Sequence, residues 1–170
     1  RKKLIWNMFI SMLILLAGLS YAFINVYFLM LIEAGITNRL LLVTIYSLCF
    51  LVIPVYLLGQ TIPLISNYFS KEKLAKVTGK ILFFSTLGSF LGAVFSTLVL
   101  MATIGVHHTV SLNFIILAAL IIILSKKKVN EISIVAVCLA AASLYINSDK
   151  IMDVFGIVEN NQYNTMVVIE

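Results

Sequence analysis

The residues of this chain best suited to metal or nucleophilic chemistry are its histidines and cysteines, and neither pair is spaced to perform it. His107 and His108 are adjacent, so on a helix they face different ways, and no third ligand stands at an i+3 or i+4 step. They are expected as interfacial turn residues, with no metal centre. Cys49 and Cys138 each lie inside an apolar run without metal-ligand spacing, which is the pattern of small buried hydrophobes. Paired carboxylates placed for acid–base work are absent. The 8 glycines include no G-x-G-x-x-G after a strand that could cradle a phosphate or nucleoside. No catalytic residue and no cofactor is therefore expected in the chain itself.

The elements that would position any site are dictated by composition. Of 170 residues, 62% are hydrophobic and 11% charged, and the mean hydropathy is +1.11. Ordinary soluble domains are about 45–50% apolar and about 25% charged, so the chain reads as an integral membrane protein. The net charge of +5 comes from 12 Lys and Arg against 7 Asp and Glu. These bases gather at the ends of apolar runs, which marks topology rather than a nucleic-acid site. The lipid bilayer is the expected partner.

Five apolar runs follow one another, at residues 4–32, 40–58, 79–103, 110–124 and 132–146. The first exceeds the about 20 residues needed to cross hydrocarbon and is expected to span with tilt, while the last, about 15 residues rich in alanine and serine, is the least secure crossing. Asn25, inside the first run, suits a hydrogen bond between helices. Pro54 is expected to kink the second run, and Gly59 and Pro63 to start a short interfacial helix over 62–69. The third run carries Ser85, Gly88, Ser89, Gly92, Ala93 and Ser96 at three- and four-residue steps. A strip of small residues lets another backbone approach closely, which predicts a packing seam and places this helix nearest the middle of the bundle. Beyond residue 147 the composition turns β-branched around an Asn-rich segment, the signature of a β-hairpin. The expected fold is all-α and membrane-embedded, with about five transmembrane helices over residues 1–147. A short β-hairpin over 148–170 would open a soluble domain, and the chain is expected to be a piece of a longer protein.

Several of these motifs together resemble a known family. Leu58-Gly-Gln-Thr-Ile-Pro-Leu-Ile65, Gly79-Lys80, Ser85-Thr-Leu-Gly-Ser-Phe-Leu-Gly-Ala93 and Ile104-Gly-Val106 are similar to the membrane domain fused to spermidine synthase-like proteins, with Ser85 where the family usually has Asn. Glu159, Tyr163, Asn164 and Met166-Val-Val168 resemble the opening of the aminopropyltransferase module, although the step from Glu159 to Tyr163 is about one residue longer than usual. The resemblance implies substrate contacts at Tyr163 and Asn164, and aminopropyltransferase activity in a domain absent from this chain. Decarboxylated S-adenosylmethionine is the cofactor it implies for the whole protein, and the bacterial inner membrane the location.

Two other readings stay open: a small polyamine or solute transporter, suggested by the helices broken near Pro54 and Pro63, and a structural subunit that packs against other membrane proteins or against itself. Sidedness is argued two ways. The basic segments 1–3, 71–80 and 126–128 fall on one side if each long run crosses once. That side is cytoplasmic by the positive-inside rule, which puts the hairpin outside. The resemblance implies the opposite placement, near cytosolic substrates.

Overall fold

Leu4, Ile5, Met8, Ser11 and Met12 recur at three- and four-residue steps, which gathers them on one face of a helix. In the computed structural model, which describes residues 2–66, 74–125, 131–160 and 165–167, all five are buried on helix α1 (Lys2–Gly18). They meet Phe114, Ala118 and Ile121 of α8 (Gly105–Leu124) and Ala136 and Ala140 of α9 (Glu131–Ile146), and these three helices form the core. The most extensive helix contact is between α8 and α9. On α9 the buried residues are Ser133, Ala136, Ala140 and Ser143. Their small side chains at three- and four-residue steps let the α8 backbone come close.

The first apolar run does not form one tilted helix. It breaks after Gly18, and α2 (Tyr21–Glu33) leaves α1 at 66°, with Ser20 in an extended conformation between them. Helices α3 (Arg39–Phe50), α4 (Val52–Gly59) and α5 (Thr61–Ser66) follow, with a 40° bend between residues 39–50 and 52–66. Pro54 has no N–H to give the Phe50 carbonyl, and the bend falls next to that carbonyl. The short helix expected over 62–69 is described as Thr61–Ser66, and 67–69 lie outside the described residues.

The third run forms α6 (Leu74–Phe95), a π-helical turn (Ser96–Leu100) and α7 (Met101–Thr103). This helix is not at the middle of the fold. Over Lys76–Thr103 none of its most apolar stretch is buried, and a Cβ added at Gly88 or Gly92 would meet no atom within 4 Å. A small-residue strip permits close approach but does not choose a partner. Within this chain the core position is taken by α9, which carries a strip of its own.

The chain turns from α7 into α8 at Gly105, whose φ of 80° suits glycine. After α9 come α10 (Asp149–Val154), Gly156 at φ 66°, and the strands β1 (Ile157–Asn160) and β2 (Thr165–Val167). The strands pair antiparallel, Glu159 opposite Met166 and Asn160 opposite Thr165, with an irregularity between Ile157 and Glu159. Residues 161–164, where the turn of the expected hairpin falls, lie outside the described residues.

The fold is thus mostly helical. Among the described residues, Lys76–Thr103 and Gly105–Leu124 are long and apolar enough to cross a membrane, and up to four spans result if each bent pair counts as one. The fifth expected crossing falls short of this. At 16 residues, α9 is about 24 Å long, against about 30 Å of hydrocarbon.

Candidate functional site

Polar side chains concentrate at the two ends of the α1–α8–α9 core. At one end, Asn7 of α1 donates through Nδ2 to the Gln60 side-chain oxygen (3.0 Å) and to the Leu57 carbonyl (3.3 Å). Ser125 accepts from Ser133 at 3.0 Å where α8 ends and α9 begins, and a groove of about 390 Å³ between Leu4, Met8, Leu58, Ile65 and Leu124 opens nearby. Lys2 and Lys3 start α1 at this end.

At the opposite end, α8 begins and α9 stops. Ser111 donates to the Ser143 carbonyl at 3.2 Å, and Asn147 donates to the same carbonyl at 3.0 Å. Both donors are buried: the Ser111 bond ties the α9 C-terminus to α8, and the Asn147 bond, at the end of α9, keeps its own buried amide paired. One turn further out, His107 Nε2 lies 3.0 Å and His108 Nε2 3.4 Å from Asp149 Oδ1. The side chains of His107, His108 and Asp149 are 14%, 42% and 74% exposed. Tyr21, where α2 starts, meets Phe155 at the same end, with ring centroids 5.4 Å apart.

This geometry corrects the reading of the histidines. They stand in the first turns of α8 rather than in a turn, and their rings lie 4.1 Å apart instead of pointing away from each other. The third ligand type that local spacing lacked is Asp149, 42 residues along the chain from His107. Sequence held two signals for it: an acid just after the fifth apolar run, and histidines just before the fourth. Two antiparallel helices joined by a short segment bring those positions together.

The remaining expected site residues are not brought together. Ser85, Gly88, Ser89, Gly92 and Ala93 lie on α6, whose surface here is largely exposed, and Ser96 is half-buried in the π-helical turn. Ser89 donates to the carbonyl of Ser85 in its own helix at 2.9 Å, not across a seam. Tyr163 and Asn164 lie outside the described residues. Cys49 and Cys138 are exposed rather than buried, Cys49 standing beside Tyr27 of α2. Asn25 is half-buried.

No family model matches this chain, and no curated protein or solved structure gives a match either.

Proposed function

We propose that this chain is a membrane-embedded helical domain that anchors a soluble module starting at its C-terminal strands. The observation that carries this is the helix Lys76–Thr103, 28 residues long and apolar, with none of its most apolar stretch covered by protein. Phe83, Phe84, Phe90, Leu91, Phe95 and Leu98 are all exposed along it. In water such a surface far exceeds the apolar patch of a few hundred Å² that a soluble monomer tolerates, whereas hydrocarbon solvates it at no cost. The apolar runs then form a polytopic bundle in which α9 is the short last crossing.

The resemblance to spermidine synthase-like membrane proteins, resting on the motifs quoted above, makes the strands the first of an aminopropyltransferase-like module. In that reading Tyr163 and Asn164 are substrate contacts, decarboxylated S-adenosylmethionine is bound by the part that follows, and the bacterial inner membrane is the location. The lysine-rich end of the bundle faces the cytoplasm and the strands face outward.

The transporter reading is weaker on physical grounds. Polyamine passage calls for ionisable groups along the path, and two cavities of about 390 and 310 Å³ among the described residues are lined by aliphatic side chains and Thr61, without a charged group.

Two measurements test the proposal. The protein should remain in the membrane pellet after alkaline carbonate washing, and release into the supernatant would end the membrane reading. With Cys49 and Cys138 replaced by Ser, a cysteine at the exposed Val154 position should react with a membrane-impermeant maleimide on intact cells. Reaction only after the cells are opened would reverse the sidedness.

A further inference from the structure

Two imidazoles and a carboxylate meet at the strand-bearing end of the α8–α9 pair. One ligand atom from each of His107, His108 and Asp149 lies within 4.8 Å of the other two. Tetrahedral ligands about 2.0–2.1 Å from a zinc ion stand about 3.3–3.4 Å from one another. The two nitrogen-to-oxygen separations here are 3.0 and 3.4 Å, so small side-chain rotations suffice to admit an ion. We propose that His107, His108 and Asp149 bind a divalent transition-metal ion, zinc in the first instance, which ties the first turns of α8 to the α9–α10 junction.

Three features of the cluster favour a metal over an ion pair kept for stability. With Asp149 74% exposed, a histidine–aspartate pair alone contributes little, since water screens it. Among the described residues the Nδ1 atom of His107 is buried without a hydrogen-bond partner, so no bond at that edge holds the ring against the small rotation that an ion requires. Finally, the accessible side of the cluster, at His108 and Asp149, leaves a route in for the ion and room for a water in the fourth position. The donor set selects among cations as well. Imidazole nitrogen suits zinc, cobalt, nickel, copper or iron, whereas magnesium and calcium prefer all-oxygen shells.

The proposal does not depend on which module follows the strands, and it is tested on the untagged full chain in detergent after chelator treatment. Titration with Co²⁺ should give visible absorption bands that saturate at one equivalent and are displaced by Zn²⁺. Added Zn²⁺ should raise the melting midpoint, because an ion that binds only the folded state stabilises it. Asp149→Asn and His108→Ala, both at accessible positions, should each weaken binding at least tenfold while leaving the metal-free midpoint where it is. His107→Ala is the less informative variant, since loss of its buried ring can unsettle α8 directly. Absence of Co²⁺ bands in the parent, or equal Co²⁺ affinity in the parent and in Asp149→Asn, would overturn the proposal.

Discussion

Gly18 and Phe50 approach so closely that a Cβ on the glycine would lie 2.8 Å from the phenylalanine Cβ. The Tyr46 hydroxyl donates to the Gly18 carbonyl beside this contact. Gly18 ends α1, Phe50 ends α3, and both bent segments of the chain pivot here, next to the 66° break on one side and the 40° bend on the other. Because the atom in the way is a Cβ rather than the tip of a flexible side chain, any substitution at Gly18 must move backbone. Gly18→Ala should therefore lower the thermal midpoint in detergent, with a cost of about 1–3 kcal/mol from overpacking. Adding Phe50→Ala, which removes the ring but keeps the obstructing Cβ, should leave most of that cost in place. A midpoint equal to that of the parent would mean the two segments do not meet as described.

Gly88→Leu and Gly92→Leu are expected to behave in the opposite way. Nothing lies within 4 Å of a Cβ at either position, and leucine is the better helix former by about 0.8–1 kcal/mol at most. The folded chain should be as stable as the parent or slightly more so in a detergent melt. A marked fall in folded yield would show that the strip is covered in the native protein by something outside this chain.

Ala136→Leu places a large side chain in the α8–α9 contact, where Ala136 is fully buried. The same kind of change that is harmless on α6 should cost about 1–3 kcal/mol here. Measuring Ala136→Leu and Gly88→Leu side by side in one detergent decides which small-residue strip is the intramolecular seam.

Asn7→Leu removes the donor shared by Gln60 and the Leu57 carbonyl. Hydrogen bonds between helices in membranes average about 0.6 kcal/mol and reach about 1.7, so the variant should melt slightly lower and fold normally. A fall well beyond that range would indicate that Asn7 does more than join α1 to the α4–α5 segment.

Cys49 and Cys138 provide a native report on the apolar surface. Both are exposed on helix faces rich in large hydrophobic residues, so in intact membranes lipid should shield them from a charged maleimide, whose double bond the thiolate attacks. Denaturation in ionic detergent should make both reactive. Rapid labelling of either one in native membranes would mean that its face meets water or protein.

Composition and periodicity alone determined that the chain is helical and that its helices seek an apolar environment, since 62% hydrophobic residues in runs of 15 or more leave few other folds. They also determined the α3–α4 bend, because proline removes a backbone donor wherever it stands. Only the tertiary structure decided which helices are inside. Two strips of small residues, one on α6 and one on α9, satisfy the same local rule. The choice between them depends on how α1 and α8 fill the remaining volume, a sum over contacts that no single stretch encodes. The His107–His108–Asp149 cluster was hidden for a related reason. Ligand spacing along one helix is visible in a sequence, but a ligand brought from just beyond the far end of the next helix depends on the length and antiparallel packing of both. The break after Gly18 is of the same kind. Gly18, Ser20 and Asn25 interrupt the first apolar run without saying that it bends, and the break falls where Phe50 and Tyr46 dock against the glycine.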